Sequence, residues 1–195
     1  MPTTKAALRR AALAQRLALP PAEAARRADT LREHLFRQFP VSAWQWLHVF
    51  LPIRAKNEPD TWGIIRQVWA EGLPLRLAAP VVQPDNLSLR HYELRPETQL
   101  LTSRWGIAEP APSVTAEVAP AALDAVLVPL LACDRHGQRV GYGGGFYDRF
   151  LARCRPGTAF IGLSLLDEVV EEVTDAEVTD VALTALIMPG GVRRW

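Results

Sequence analysis

The chain has few of the residues that build disulfide frameworks, metal sites and membrane spans. Its 195 residues include only two cysteines, Cys133 and Cys154, with no CxxC motif and no histidine at ligand spacing. We therefore expect two free thiols, and neither a disulfide framework nor a zinc site. No window of about 18 uncharged apolar residues occurs, and the first ten residues lack the apolar stretch of a signal peptide. The expected protein is cytoplasmic and has no membrane partner.

An excess of charge of one sign is also absent. The 22 lysines and arginines nearly balance the 21 aspartates and glutamates, so the net charge at pH 7 is +1, and no long basic run occurs. Nucleic acids and anionic membranes attract clustered positive charge, so we expect neither as a partner. Hydrophobic residues make up 49% and charged residues 22%, which is typical of a soluble globular protein. The length fits a single domain over residues 1–195.

The hydrophobic pattern predicts that helices and strands alternate along the chain. Helices are predicted at residues 5–17, 22–39 and 61–71, and strands at 44–51, 73–82, 87–94, 125–131, 159–165 and 181–187. The continuous apolar runs at 125–131 and 159–165 suit central parallel strands that are covered on both faces. Residues 106–122 are rich in proline and alanine and are predicted to form a surface connection. The pattern predicts an α/β fold with a single-domain open, mostly parallel sheet flanked by helices on both faces.

A glycine-rich stretch, RVGYGGGFYD at 139–148, lies between the run at 125–131 and a helix of about two turns. In an open α/β sheet this loop falls at the carboxyl ends of the strands, where ligands bind. Its glycines allow successive N–H groups to converge around a phosphate, next to the start of a helix. It is neither a Walker A loop nor a GxGxxG fingerprint, because Phe146 and Tyr147 occupy the positions that these motifs require. The pattern alone leaves a flexible turn as the alternative.

The charged residues that flank the loop favour a phosphate and metal site. Arg139 can donate two hydrogen bonds to a phosphate, and Asp148 offers the hard oxygen ligand that Mg²⁺ prefers. Taken singly, Arg139 could be a solvated loop charge, Asp148 a helix cap, and the neighbouring tyrosines packing residues. Their occurrence together points to a ligand site.

The stretch from Val128 to Leu151 resembles the signature of the 5-formyltetrahydrofolate cyclo-ligases, also called methenyltetrahydrofolate synthetases. That signature is a proline-bearing strand, Asp-x-x-Gly, and Arg-x-Gly-x-Gly-x-Gly-Tyr-Tyr-Asp; here it reads VPLLACD at 128–134 and GQRVGYGGGFYDRFL at 137–151. Weaker matches are KAALR at 5–9, EPDT at 58–61, WGIAEP at 105–110, and Asp180. The resemblance covers nearly the whole chain.

The resemblance implies an activity and its cofactors. The family closes 5-formyltetrahydrofolate to 5,10-methenyltetrahydrofolate, using ATP and Mg²⁺ and releasing ADP and phosphate. The implied partner is this small-molecule substrate, with or without a polyglutamate tail, and the chain is expected to act as a monomer. One alternative is a non-catalytic nucleotide- or folate-binding relative that acts as a sensor or interaction module. Another is an RNA-binding protein that uses the glycine and aromatic run for stacking, which the near-neutral net charge disfavours.

The resemblance also implies roles for individual residues. Arg139 and Tyr147 are the expected catalytic residues, and Asp148 with Asp180 the expected metal ligands. The expected ATP-binding residues are Lys5, Arg9, Arg139, Gly141, Gly143, Gly144, Gly145 and Tyr147. The expected substrate-binding residues are Ile53, Glu58, Trp105, Tyr142, Gly145 and Phe146. The chain departs from the family pattern at Phe146, often a tyrosine, at Tyr142, a basic residue in some members, and at Thr184 and Met188, often polar.

Overall fold

Helices and strands alternate along the backbone, as the sequence predicts. The computed structural model describes residues 4–83, 85, 88–104 and 106–195. Its helices are α1 (Lys5–Leu17), α2 (Pro21–Gln38), α3 (Trp62–Ala70) and α4 (Phe146–Leu151). Its strands are β1 (Trp46–His48), β2 (Arg76–Val82), β3 (Leu89–Leu94), β4 (Leu100–Thr102), β5 (Ala108–Pro110), β6 (Ala125–Pro129), β7 (Ala132–Cys133), β8 (Arg139–Val140), β9 (Ala159–Leu163), β10 (Ala185–Met188) and β11 (Gly191–Arg194). None of these helices is long and apolar enough to cross a membrane.

Seven strands form the main sheet, in the order β11-β10-β9-β6-β1-β2-β3. The five inner strands run parallel to one another, whereas β3 and β11 pair antiparallel at the two edges. Two small antiparallel pairs, β4 with β5 and β7 with β8, lie outside this sheet. The predicted α/β class with a mostly parallel sheet is confirmed.

The strand order reverses between β1 and β6. From β1 the chain proceeds outward through β2 and β3, and it then returns to the other side of β1 and proceeds outward through β6, β9 and β10. The connections that leave the carboxyl ends of β1 and β6 therefore diverge, and a crevice opens between them. Such a switch point is where α/β proteins bind their ligands.

Alternate residues of each strand point to opposite faces of the sheet, and helices cover both faces. Leu47, Leu77 and Leu127 belong to a core with residues of α2 and α3. Val126 and Val128 belong to a second core with Phe150 of α4. The predicted helices on both faces are confirmed. The inner strands are apolar on both sides for this reason, which explains their continuous apolar runs.

Helix α1 packs beyond the carboxyl end of β6, against the β7–β8 hairpin. Its Leu8 and Ala12 belong to a small core with Leu131, Ala132 and Val140. The hairpin is organised by the buried Asp134, whose carboxylate accepts hydrogen bonds from the N–H groups of residues 136, 138 and 173. The hairpin thus brings both the glycine loop and α1 to the crevice.

Several expected boundaries differ from the structure. The predicted strand 44–51 is paired only over β1, because Phe50 and Leu51 leave the sheet. These two apolar residues line a cavity instead, so the apolar run extends beyond the strand. The prediction that 106–122 is only a surface connection is wrong, because β5 pairs with β4. The strand predicted at 181–187 begins at Ala185. The β7–β8 hairpin and β11 are too short to produce a hydrophobic period of their own.

Substitution of Gly137 should show how strongly the hairpin is constrained. Gly137 has a φ of +81°, and a Cβ atom there would lie 2.9 Å from the carbonyl oxygen of Leu183 and 3.2 Å from the Trp195 ring. We expect Gly137→Ala to lower the free energy of unfolding by about 2–4 kcal/mol, from backbone strain plus a clash. Urea denaturation measures the change.

The matched control is Gly72→Ala. Gly72 has a φ of +58°, but its added Cβ would meet no described atom within 4 Å. Only the strain of the left-handed backbone remains, so the expected loss is about 1 kcal/mol. Equal losses at the two positions would mean that the close approach at Gly137 is relieved without cost.

Candidate functional site

A cavity of about 1040 Å³ opens at the crevice between the diverging connections. Apolar residues at the carboxyl ends of three neighbouring strands form part of its wall: Phe50 and Leu51 after β1, Pro80 and Val82 of β2, and Pro129 of β6. This volume is at the upper end of that of single small-molecule sites, so the cavity can hold two ligands side by side.

Almost every residue that the sequence nominates lines this cavity. They are Lys5, Arg9, Ile53, Glu58, Arg139, Gly141, Tyr142, Gly143, Gly144, Gly145, Phe146, Tyr147, Asp148 and Asp180. Trp105 lies outside the described residues. The structure thus brings together residues from the first helix, from the connection after β1, and from the last third of the chain.

The glycine loop presents main chain to the cavity. Gly143 and Gly145 have φ values of +95° and +64°, in the left-handed region that favours glycine. Arg9 Nε donates a hydrogen bond to the Gly141 carbonyl at 2.8 Å, so α1 holds the start of the loop. A Cβ at Gly143 would lie 3.3 Å from the Arg9 guanidinium, which therefore packs closely against the bare backbone there. Bare amides with a guanidinium beside them suit a phosphate.

Each expected metal ligand is paired with an expected phosphate-binding cation. Arg139, buried with 8% exposure, donates from Nη2 to Asp148 Oδ1 at 2.6 Å. Lys5 Nζ lies 2.6 Å from Asp180 Oδ2. The backbone of Val181, the residue after Asp180, contacts both members of the Arg139–Asp148 pair, since its carbonyl accepts from Arg139 and its N–H donates to Asp148. The charges of Lys5, Asp180, Arg139 and Asp148 are therefore balanced among these four side chains.

The carboxylates near the loop suit only some metals. In the described part of the chain, no three His, Cys, Asp or Glu side chains are placed to hold a metal ion together. An all-protein zinc or calcium cage is therefore not formed by these residues. Mg²⁺ is different, because it commonly binds through one or two carboxylates and takes its other ligands from water and phosphate. Asp148 and Asp180 fit that role.

A second polar group surrounds Glu58. One carboxylate oxygen accepts from the Ile53 N–H at 2.8 Å, and the other accepts from the Tyr142 hydroxyl at 2.7 Å. Burial raises the pKa of Glu58, and these hydrogen bonds together with the charges of Arg16 and Lys56 oppose that shift. The carboxylate keeps unused lone pairs, so it can accept hydrogen bonds from ligand N–H groups.

Arg16 was missed by the sequence reasoning. Its guanidinium is buried, with the residue 3% exposed, and it donates to the Tyr142 hydroxyl. The missed signal is spacing: at about 100° per residue, Arg16 lies within about 40° of Lys5 and Arg9 around the helix axis. One face of α1 thus carries all three cations.

Lys56 and Glu109, which line the cavity, were also missed. Lys56 Nζ lies 4.1 Å from the centroid of the Tyr142 ring, a cation–π contact. Glu109 of β5 also lines the cavity, and burial raises the pKa of its carboxyl. Glu109 falls in the segment predicted as a surface connection, where no period indicated a strand.

Tyr147 joins the cavity wall to a buried aromatic layer. The centroid of its ring lies 6.2 Å from that of His48, and the His48 and His91 ring centroids are 5.0 Å apart. Among the described residues, neither the Tyr147 hydroxyl nor either ring nitrogen of these two histidines has a hydrogen-bond partner. Burial raises the pKa of Tyr147, so its hydroxyl stays protonated. It is a neutral donor without an acceptor in the described part of the chain.

The two cysteines stand apart from this chemistry. Both thiols are free, as expected. Burial raises the pKa of Cys133 to about 12 and that of Cys154 to about 11. Neither forms a thiolate near neutral pH, so neither serves as a nucleophile.

Comparison with known proteins identifies relatives along nearly the whole chain. The model of the "5-formyltetrahydrofolate cyclo-ligase family" matches residues 2–189. A 5-formyltetrahydrofolate cyclo-ligase from Escherichia coli K12 is 35% identical over 71% of this chain and 76% of its own. One from Mycolicibacterium smegmatis is 32% identical over 96% and 95%. The NMR structure of Aquifex aeolicus 5,10-methenyltetrahydrofolate synthetase superposes with a TM-score of 0.82 at 27% identity, covering 97% of this chain and 92% of that one.

The buried histidine pair should make stability depend on pH. Burial lowers the pKa of His91 to about 4, with Arg153 adding to the shift and Glu117 opposing it, and lowers the pKa of His48 well below its usual value. The unfolded chain therefore takes up protons first, near the ordinary pKa of about 6.5. We expect the free energy of unfolding to fall as the pH drops from about 6.5 towards 4.

The measurement is urea denaturation as a function of pH. His91→Phe keeps an aromatic ring against Phe150, whose centroid is 3.8 Å from that of His91. It should reduce the slope by up to about 1.4 kcal/mol per pH unit, the contribution of one proton. Substitution of the exposed His136 by Gln serves as the control and should not change the slope. An unchanged slope in His91→Phe would contradict the expectation.

Proposed function

Because the chain belongs to the 5-formyltetrahydrofolate cyclo-ligase family, we propose that it closes 5-formyltetrahydrofolate to 5,10-methenyltetrahydrofolate, consuming ATP in the presence of Mg²⁺. The prediction of a ligase of this family is confirmed by the family model and by the named relatives. The cosubstrate, the metal and the order of steps are our proposal. The observation that carries it is that a glycine loop with two cation–carboxylate pairs and a buried acceptor, Glu58, share one cavity. We also propose that residues 1–195 act as one domain.

The chemistry requires activation of an amide oxygen. The formyl oxygen of the substrate is a poor leaving group, so N10 cannot displace it unaided. When bound, Mg–ATP supplies a phosphoryl group to that oxygen; N10 then attacks the formyl carbon, the C–O bond breaks, and phosphate leaves with the oxygen as N10 loses its proton. Catalysis of this kind depends on alignment and charge neutralisation more than on a protein nucleophile. The cavity accordingly offers donors and cations, and its described lining residues do not include a catalytic triad.

The phosphate-binding residues are those around the glycine loop. Arg9 and Arg139 offer guanidinium donors, Lys5 a compact ammonium, and the bare amides of 141–145 additional donors. Arg139 is well placed for this role, because its buried guanidinium is also held by the Val181 carbonyl, a contact that does not depend on Asp148. We assign it, with the Tyr147 hydroxyl, to stabilising charge that develops as the phosphoryl group moves.

Asp148 and Asp180 would hold Mg²⁺ by exchanging partners. Without ligand, Arg139 and Lys5 neutralise them. On binding, the two cations turn to the phosphates and the two carboxylates to the metal. No buried charge is left unpaired at either stage, which avoids the large desolvation penalty of an isolated charge. Nucleotide and metal should therefore bind together more favourably than either alone.

The folate-binding residues surround Glu58. Its carboxylate accepts hydrogen bonds from N–H groups of the pterin ring. It already accepts hydrogen bonds from the Ile53 N–H and the Tyr142 hydroxyl, which shows that it acts as an acceptor. Ile53, Tyr142, Gly145 and Phe146 line the same space, with Phe146 supplying an aromatic wall and Ile53 an apolar one. The loop joins both binding regions, because Gly141 bonds to Arg9 and Tyr142 bonds to Glu58.

The direct test follows product absorbance. Purified protein with 5-formyltetrahydrofolate should form methenyltetrahydrofolate when both ATP and Mg²⁺ are present, and form none when either is omitted. ATP binding without product formation would overturn the proposal and favour a sensor instead. Product formation without ATP would refute the activation step.

Asp148→Asn should abolish most activity with little change of fold. The amide cannot supply the negative charge that Mg²⁺ requires, so we expect kcat to fall about 100-fold or more. Asp167→Asn is the control, since Asp167 accepts a single backbone N–H from Gly190 and does not line the cavity. Circular dichroism checks the fold of both variants. Activity close to that of the unsubstituted protein in Asp148→Asn would place the metal elsewhere.

The exchange of partners can be tested by calorimetry without turnover. We expect Mg–ATP to bind at least about tenfold more tightly than metal-free ATP. In Asp180→Asn, Lys5 loses its ion-pair partner, and no carboxylate at position 180 repels the phosphates. Metal-free ATP should therefore bind more tightly than it does to the unsubstituted protein. The increase in ATP affinity that Mg²⁺ produces should become smaller. The control is Glu177→Gln, whose carboxylate is 3.9 Å from Lys5 and largely exposed. Equal loss of both affinities in Asp180→Asn would refute the exchange.

A further inference from the structure

Arg16 connects three segments of the cavity wall from behind. Its Nε donates to the Lys56 carbonyl at 2.9 Å and its Nη1 to the Leu130 carbonyl at 3.0 Å, while Nη2 donates to the Tyr142 hydroxyl. These acceptors belong to the connection after β1, the end of β6 and the glycine loop. Arg16 does not line the cavity, so a bound ligand is not its direct partner.

Hydrogen-bond direction can be followed from Arg16 to Glu58. A guanidinium only donates, so the Tyr142 oxygen must accept from Arg16. The single proton of that hydroxyl is then directed to the other neighbour, Glu58 Oε1, at 2.7 Å. Oε2 already accepts the Ile53 N–H at 2.8 Å. Both oxygens of Glu58 are thus acceptors, and the arrangement favours an unprotonated carboxylate whose remaining lone pairs are available to the ligand.

We propose that Arg16 is a positioning residue for folate: through Tyr142 it holds Glu58 as a charged acceptor in the folate-binding part of the cavity. This rests on the proposed function, in which Glu58 receives pterin N–H groups. Arg16 touches neither substrate nor nucleotide. It acts by orienting one hydroxyl and by placing a positive charge behind a buried carboxylate.

The electrostatic surroundings of Glu58 give the direction of the effect. Burial raises its pKa, and Arg16 and Lys56 oppose that shift by their charges while Tyr142 and the Ile53 N–H oppose it by hydrogen bonds. Tyr147 also interacts with Glu58, and it stays neutral because burial raises its pKa. Removing Arg16 takes away one opposing charge and frees the Tyr142 hydroxyl to turn. Glu58 then becomes protonated at a higher pH, and below that pH it no longer accepts two N–H groups.

The test compares Arg16→Met, Arg16→Lys and Tyr142→Phe. With saturating Mg–ATP, Arg16→Met should raise KM for 5-formyltetrahydrofolate roughly tenfold, and the acid limb of kcat/KM should move to higher pH. The affinity for Mg–ATP, measured by calorimetry without folate, should stay within about twofold. Arg16→Lys keeps the positive charge but lacks the planar guanidinium with its several N–H donors. Its pH profile should therefore lie between those of Arg16→Met and the unsubstituted protein. Tyr142→Phe removes the connecting hydroxyl but keeps the ring, so it tests the same claim if Arg16→Met does not fold.

A second readout does not depend on turnover. Carbon NMR of protein labelled at glutamate carboxyls, with Glu58 assigned by Glu58→Gln, should show the Glu58 titration moving upward in Arg16→Met and in Tyr142→Phe. Arg27→Met is the control, because Arg27, like Arg16, donates from a helix to a main-chain carbonyl, that of Leu165, but it pairs with Glu23 and lies away from the cavity. It should change neither readout.

The outcomes separate this proposal from the proposed function. If the protein forms methenyltetrahydrofolate but the variants leave the Glu58 titration and the acid limb unchanged, Arg16 has only a packing role and the inference is overturned. If the protein forms no product, the function fails, yet an upward Glu58 titration still supports the control of that carboxylate by Arg16. Equal loss of folate and Mg–ATP affinity in Arg16→Met and Tyr142→Phe would indicate general disruption of the cavity and would also overturn the inference.

Discussion

The site depends on the divergence of the chain at the carboxyl ends of β1 and β6. Because β2 lies on one side of β1 and β9 lies beyond β6, the connections after these strands cannot cover the gap between them. The cavity is therefore a consequence of strand order, and neither a hinge nor a second sheet is needed to form it. The side chains that leave these strand ends define its chemistry: apolar residues and Glu58 after β1, and the glycine loop after β6.

Oppositely charged side chains form pairs within this cavity. The chain as a whole is also nearly neutral. Lys5 with Asp180 and Arg139 with Asp148 are paired across long sequence separations, and Arg16 supports Glu58 through a tyrosine. A buried charge is costly unless a partner compensates it, so charged side chains in a cavity need partners within the chain. Lys5 and Arg139 meet this need for Asp180 and Asp148.

The sequence predicts most of this arrangement, for identifiable reasons. The runs at β6 and β9 are apolar on both faces of the sheet, and this is visible without a structure. The glycine loop follows β6, so its place at the carboxyl edge follows from the fold class alone. Lys5 and Arg9 could be nominated only through the family resemblance, because two cations one helical turn apart are ordinary on an exposed helix. Their place in the cavity depends on how α1 packs on the β7–β8 hairpin, whose strands are too short to show a period.

Helix α1 has a consequence for how the protein is made. Its hydrogen bonds and ion pairs reach the carbonyls of Lys56, Leu130 and Gly141 and the carboxylate of Asp180, all far along the chain. During synthesis α1 leaves the ribosome before all four anchors, and Asp180 is the last of them to follow. The helix therefore cannot complete its contacts until Asp180 has emerged, and the cavity lacks its final arrangement until then.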